Sequence, residues 1–274
     1  MGTSTSSTGP GSGVPIVPPW TPPPPSADPM PPDDSPGDPP APSPVPPSPI
    51  APPGRFRGTR RALSDYARSG NSRQMRRGVR DYIGTGYGGA ALAARRHGGT
   101  AVTAGALGDA LAGLASADPA APESGLDRAL REAQSAEEII SSVVEAVRPV
   151  DGTQDSEVER VAISDALSDL LSRYPDAELS QLDSEQRAFA VERFVAVTVF
   201  SRFVLDVGKT IHANAPSAVA AVERLDEVLD YVDETVAASF RSLRAAGRTL
   251  DSASIERVVH AALTETFEIF EAFL

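Results

Sequence analysis

The sequence predicts an all-α protein: a helical bundle of about five long helices with an arginine-rich short-helix extension, preceded by a disordered proline-rich N-terminal arm. Of the 26 prolines in the 274 residues, 21 precede Gly54. Beyond that point apolar side chains recur at three- and four-residue steps, which is typical of amphipathic helices, and no segment alternates as a strand would. These observations predict three regions: a Gly/Ser/Pro-rich arm over residues 1–54, an arginine-rich region over 55–116 and an acidic helical bundle over 117–274.

The arm is predicted to be extended and largely disordered. Proline fixes φ and removes backbone donors, and the apolar side chains of the arm are isolated ones such as Ile16, Val17 and Trp20. We expect such a segment to bury no core and, where extended, to reach on the order of 100 Å from the bundle.

Charge is distributed unevenly along the chain. The net charge is -12, yet residues 55–97 hold eleven arginines and only two aspartates. Such a cluster suits nucleic-acid phosphates, but it equally suits the acidic helices of the same chain or an acidic partner, and the negative charge elsewhere favours the second interpretation. The candidate arginines for binding a partner or nucleic acid are Arg60, Arg61, Arg68, Arg73, Arg76, Arg77, Arg80, Arg95 and Arg96.

Short helices are predicted in the arginine-rich region over residues 60–68, 72–83 and 101–116, with "SGNS" separating the first two. The stretch "GTGYGG" invites comparison with nucleotide-binding glycine loops, but it lacks a preceding strand and a Gly-Lys-Ser or Gly-Lys-Thr ending. We therefore expect it to form a turn that connects two helices.

Apolar spacing predicts the helices of the acidic region. The first runs from Ser124 to Pro149, and the second ends at Pro175. The third begins near Ser184 and continues to Ile211. It is apolar on more than one face, which is typical of a helix at the centre of a bundle.

Two further helices complete the predicted bundle. The fourth follows "HANAPS", carries a coiled-coil-like apolar seam and stops at Gly247. The last runs from about Ser252 to the C-terminus. Phe267 and Leu274 fall off its apolar stripe, so they serve either in end packing, which we favour, or as a second apolar surface for a partner.

Residue types that carry enzyme chemistry are sparse. Cysteine is absent, which excludes disulfides, thiolate metal sites and cysteine nucleophiles. His97, His212 and His260 lie outside any metal-binding pattern, and we expect them at the surface or at helix caps. The sequence therefore predicts a non-enzyme with no metal and no cofactor.

The longest apolar stretch, "FVAVTVFSRFVLDVGKTI", predicts a core helix rather than a membrane span, because Arg202, Asp206 and Lys209 interrupt it. The first 30 residues lack the basic start and apolar run of a secretory signal. Together with the absence of cysteine, this predicts a cytoplasmic protein.

Several stretches resemble one known family. The start "MGTSTSSTGPGSGVPIVPPW", the proline-rich leader, "LSDYARSG", "RDYIGTGYGG" and "AARRHGGTAVTAGAL", followed by acidic helices, are similar to the QatB family of the bacterial Qat anti-phage defence system. The resemblance is specific over residues 1–20 and 60–107, whereas the C-terminal helices match only in character. It implies partnership with an ATPase (QatA), a QueC-like enzyme (QatC) and a TatD-like nuclease (QatD).

The implied QueC-like partner gives the uncharged start of the chain a chemical role. QueC enzymes use ATP to activate the carboxylate of a 7-deazaguanine and then join it to ammonia. Removal of Met1 exposes the α-amine of Gly2, and the reference pKa of such an amine, about 7.7 to 8.0, leaves a nucleophilic fraction at cellular pH. The leading hypothesis is that Gly2 replaces ammonia. The small neutral residues that follow it into the partner's active site are Thr3, Ser4, Thr5 and Ser6.

Three alternatives stay open at this point. The tail is inert, or it is acylated, since Gly2 and Ser6 match the myristoylation pattern M-G-x-x-x-[ST]. In the third alternative the chain is a nucleic-acid-binding adaptor that uses its arginine-rich region to present DNA to the partner nuclease.

Overall fold

The computed structural model describes residues 13–25, 49–115, 133, 135–250 and 254–273. Within those ranges the regular structure is helical, which confirms the all-α prediction. A π-helical turn extends the second helix over Tyr82–Tyr87, and another extends the seventh over Val204–Gly208. The α-helices in chain order are α1 (Arg57–Ser69), α2 (Ser72–Asp81), α3 (Ala90–Arg96), α4 (Gly98–Ala115), α5 (Ala136–Val147), α6 (Gln154–Arg173), α7 (Ser184–Phe203), α8 (Lys209–Asn214), α9 (Ala218–Ala245) and α10 (Ile255–Ala272).

Side-chain caps fix where several helices begin. At the start of α7, Asp183 accepts a hydrogen bond from the Gln186 amide (2.9 Å) and its own amide donates to the Gln186 side chain (3.0 Å). This reciprocal pair satisfies two amides that the helix itself leaves free, and it confirms the predicted start near Ser184. The first acidic helix begins only at Ala136, after the N-cap residue Ser135, and residue 133 is not helical, so the prediction of one helix from Ser124 to Pro149 is wrong. Ser124 itself lies outside the described residues, whereas the end of the helix before Pro149 is confirmed.

Two helices lie at the centre of the bundle. Helix α7 packs against α4, α6 and α9, and residues from all around it are buried, which confirms its predicted central place. Helix α10 packs against α2, α3, α4 and α9. Phe267 on α10 is fully buried, so it serves in core packing and not as a partner surface, while Leu274 lies outside the described residues.

A buried polar cluster joins the arginine-rich region to α7. Asp206 lies in the π-helical turn after α7, and its Oδ2 accepts hydrogen bonds from the hydroxyls of Tyr82 (2.9 Å) and Tyr87 (2.6 Å). Burial raises the pKa of Asp206, and the charge of Arg202 and the two hydroxyls partly offset this. Phe56 and Phe203 pack on the Tyr82 ring, so the cluster lies inside an aromatic shell.

Part of the proline-rich leader packs on the bundle, which corrects the expectation that the whole leader is a free arm. Backbone hydrogen bonds join Gly13 to Ala51 (3.0 Å), Ala51 to Val14 (2.8 Å) and Ile16 to Pro49 (3.0 Å). The side chains of Ile16 and Val17 are only 6% exposed and belong to the main hydrophobic core. Residues 13–22, here called the strap, are therefore held against the helices.

Candidate functional site

A charged cleft of about 420 Å³ lies where α3, α4, α6 and α7 meet the strap. The end of α3 and the start of α4 form one wall, and the first turns of α6 and the last turn of α7 form the other. The charged residues that line the cleft are Arg96, Arg148, Arg202, Asp151, Asp155 and Glu159. Since three arginines face three carboxylates, the lining has no net charge.

Asp155 is the centre of the ion pairs in the cleft. Arg96 donates from Nη2 to both of its carboxylate oxygens, at 3.1 and 2.9 Å, and Arg202 donates from Nη1 to Oδ1 at 2.6 Å. Burial raises the pKa of Asp155, although the nearby charge of Arg148 opposes that shift. These ion pairs link α3 and α7 to α6 around the cleft.

Glu159 lies one helical turn further along α6 and is 5% exposed. Its Oε2 accepts a hydrogen bond from the Thr103 hydroxyl (2.9 Å) and lies 2.8 Å from Nε of Arg148. Burial raises the pKa of this carboxyl. The loop after α5 adds a second contact for Arg148, whose Nη2 lies 3.1 Å from Asp151. The hydrogen bond from Thr103 to Glu159 links α4 to α6.

His97 lines the cleft and is the C-cap residue of α3, which confirms the expected place at a helix cap, although the residue is buried and not at the surface. Its side chain is 6% exposed, and its ring packs on Phe267 with 5.2 Å between ring centroids. Burial lowers the pKa of His97 to about 4. The imidazole is therefore neutral at physiological pH, and it cannot bind an anion by charge. His212 is exposed and His260 is half-buried.

The depressed pKa of His97 makes stability pH-dependent. As the pH falls, His97 takes up a proton near the ordinary histidine pKa in the unfolded chain, but only near pH 4 in the folded chain. The free energy of unfolding is therefore unaffected by this group above the ordinary histidine pKa, and it falls as the pH drops from that value towards 4. We expect His97 to account for a loss of about 3 kcal/mol across this window. Urea unfolding of the full chain at neutral and acidic pH measures it. His97→Met should remove that part of the pH dependence, and an unchanged dependence in this variant would contradict the assignment.

The strap closes one side of the cleft. Trp20, Thr21 and Pro22 line it, and the Pro22 carbonyl comes so close to Gly98 that a Cβ on that glycine would lie 2.9 Å from its oxygen. A larger residue at 98 would therefore push the strap away. Although Trp20 lines the cleft, its side chain is 74% exposed.

The predicted arginines do not converge on one site. Arg96 pairs with Asp155 of α6, as the interpretation of packing on acidic helices of the same chain expects. Arg80 pairs with Asp81, and Arg68 pairs with Asp65 and Asn214.

The remaining predicted arginines have other surroundings. Arg76 lies over the rings of Tyr231 and Phe273, at 5.5 Å from each centroid. Arg60 lies 5.9 Å from the Phe56 ring centroid. Arg77 is exposed on α2, and its Nε lies 4.0 Å from Oδ2 of Asp81. The others are the exposed Arg61 on α1, the exposed Arg73 on α2 and the half-buried Arg95 on α3.

The "GTGYGG" stretch connects two helices, as predicted. Its first four residues lie in the π-helical turn, and Gly88 and Gly89 take positive φ values of 83° and 111° to lead into α3. The amide of Ala90 donates to the Glu271 carboxylate of α10 at 3.0 Å. A carboxylate of the same chain thus accepts a hydrogen bond from the first amide of α3.

The predicted tail residues, Gly2 with Thr3, Ser4, Thr5 and Ser6, lie outside the described residues, so their roles stay predictions. Among the residues that the structure describes, no three histidine, aspartate or glutamate side chains are grouped closely enough to hold a metal ion. In the same ranges no helix has the length and apolar character that a membrane crossing requires.

Sequence reasoning missed the cleft because its residues are scattered along the chain, from Trp20 to Arg202. The sequence does contain one signal that points to the buried charges. Arg202 and Asp206 interrupt the most apolar stretch of the sequence, and a charge in a central helix needs a buried partner. The same stretch predicts a core helix, but the sequence does not show which residues pair with these charges.

The chain matches the model of a known protein family. The model of the family described as "QatB: Qat anti-phage system associated protein QatB" matches residues 88–270. No curated protein and no solved structure matches the chain. The matched range covers most of the chain, including the cleft helices α3, α4, α6 and α7. The chain therefore belongs to the QatB family, whose members are associated with the Qat anti-phage system.

Proposed function

We propose that the chain is a non-enzymatic scaffold of an anti-phage defence complex and that its N-terminal Gly2 is the substrate of a QueC-like partner. Membership of the QatB family makes it a component of Qat anti-phage defence and indicates other Qat proteins as partners. The finer proposal rests on the resemblance of the first residues noted in the sequence, and these residues lie outside the matched range 88–270. The partner most directly involved is the QueC-like enzyme (QatC), with the ATPase (QatA) and the TatD-like nuclease (QatD) as further members.

The observation that carries this proposal is the anchoring of the strap. Because Gly13 and Ile16 are hydrogen-bonded to residues 49–51, the segment that precedes Gly13 starts from a fixed point on the helices. Twelve residues span at most about 40 Å when fully extended. This value replaces the reach on the order of 100 Å expected of a free arm, so the partner must bind close to the strap.

The proposed step is an amide bond formation. ATP activates the carboxylate of the 7-deazaguanine on the partner, and the neutral α-amine of Gly2 attacks the carboxyl carbon. A C–N bond forms, the activated oxygen leaves with the ATP-derived group, and the nitrogen gives up a proton. The chain supplies the nucleophile alone, while activation of the carboxylate and ATP consumption occur on the partner.

We expect the chain co-expressed with the QueC-like partner to gain the mass of the conjugated base. Gly2→Pro should abolish the gain, because proline still permits removal of Met1 but offers a hindered secondary amine. Gly9→Ala is the matched control and should be modified like the wild type. Intact-mass spectrometry distinguishes these results, and equal modification of Gly2→Pro and the wild type would refute the role of Gly2.

A second candidate function rests on the exposed arginines. Arg61, Arg73 and Arg77 lie on the outer side of α1 and α2, which suits a nucleic-acid-binding adaptor that presents DNA to the nuclease. Gel shifts of DNA by the full chain at increasing salt test this candidate. Salt-sensitive binding that is lost on reversing these three charges would favour the adaptor over the scaffold.

A further inference from the structure

We propose that Trp20, together with Val102 at the mouth of the cleft, is the docking site for the partner that modifies the N-terminus. This inference rests on the proposed function and names the surface through which that partner binds. The two side chains, here called the Trp20 patch, line the same cleft and are 74% and 41% exposed.

The exposure of Trp20 is the first argument. Ile16 and Val17, on the same strap, are only 6% exposed, so folding holds the strap in place without the indole. Tryptophan carries a large apolar surface and is enriched among the few residues that dominate the free energy of protein–protein binding. The strap therefore presents an aromatic anchor to solvent on a backbone that is already ordered.

The position of the patch is the second argument. Trp20 follows Gly13 by only seven residues, so the patch lies within about 25 Å of the point where the tail begins. Val14 and Ile50, which are 45% and 60% exposed, mark that point. A protein bound at the Trp20 patch can receive Gly2 in its active site, because the tail reaches about 40 Å.

The charge around the patch is the third argument. The cleft beside Trp20 has three arginines paired with three carboxylates, and it therefore offers polar groups of both signs without a net field. Such a surface suits a protein that has an apolar pocket for the indole and a mixed polar rim. It does not suit a polyanion, because its arginines are already paired with carboxylates and its lining has no net positive charge to attract phosphates.

The test is a binding titration of the full chain with the purified QueC-like partner. Trp20→Ala should weaken binding by at least about 30-fold, as expected for an interface anchor. Val219→Ala, which removes a side chain that is 68% exposed on α9, is the matched control and should bind like the wild type. Deletion of residues 2–8 should leave the affinity within about threefold, because the patch and not the tail supplies the contact.

Each outcome separates this inference from the proposed function. Wild-type binding by Trp20→Ala would overturn the docking site, even where the wild-type chain gains mass from the partner. Loss of binding on deletion of residues 2–8 would overturn it too, because the tail itself would then be the contact. A wild-type chain that binds through Trp20 but gains no mass would instead support the docking site and refute the proposed modification of Gly2.

Discussion

Deletion of residues 2–8 should abolish phage protection and leave the folded chain intact. The deletion puts Gly9 directly after Met1, so an N-terminal glycine is retained while the tail loses about 25 Å of reach. Since the strap is anchored at Gly13, the shortened tail no longer extends into an active site on a bound partner. The measurement is plaque formation by a phage that the intact Qat genes block.

Two controls make this result specific. The thermal melting temperature of the deleted chain should equal that of the wild type, because the deleted residues precede every described contact of the strap. Replacing residues 2–8 by a Gly-started stretch of the same length and other small neutral residues should restore protection in part. Full protection by the deleted chain would indicate an inert tail.

Replacement of Asp206 by alanine should destabilise the chain by about 3–5 kcal/mol, the cost of removing one partner from a buried charged cluster. The carboxylate accepts hydrogen bonds from Tyr82 and Tyr87 and is only 5% exposed. Without it, the Tyr87 hydroxyl loses its acceptor, the Tyr82 hydroxyl keeps only a 3.4 Å contact to the Tyr87 hydroxyl, and Arg202 loses a nearby opposite charge. Urea unfolding measures the change in the free energy of unfolding.

Milder and matched variants keep this prediction testable where the alanine variant does not fold. Tyr87→Phe removes one hydrogen bond to Asp206 and should cost about 1 kcal/mol. Asp230→Ala removes an exposed carboxylate of α9 and should change the free energy of unfolding by less than about 0.5 kcal/mol. Equal stabilities of Asp206→Ala and Asp230→Ala would contradict a structural role for the cluster.

The helices could be predicted from the sequence because their signals are local. Asp183 and Gln186 lie three residues apart, so the capping pair that begins α7 is readable in the sequence. Pro175 follows the end of α6 at Arg173 for a similarly local reason, since proline cannot continue a helix. Such signals fix where a helix begins and ends without knowledge of the rest of the fold.

The strap and the cleft could not be predicted because both depend on distant contacts. Ile16 and Val17 stand alone among prolines, and only the surface formed by the folded helices gives them something to pack against. Arg96, Asp155 and Arg202 each lie on a different helix, and their convergence follows from how α3, α6 and α7 pack. The exposed Trp20 is likewise significant only beside the cleft that it lines.

In the proposed function the helices hold the strap at Gly13, and the partner modifies the α-amine of Gly2. The most direct measurement is tandem mass spectrometry of the N-terminal peptide, purified from cells with the intact Qat genes and from cells that lack the QueC-like gene. We predict an added 7-deazaguanine amide on the Gly2 nitrogen in the first cells and a free Gly2 amine in the second. A free Gly2 amine in both, with phage protection intact in the first, would contradict the account.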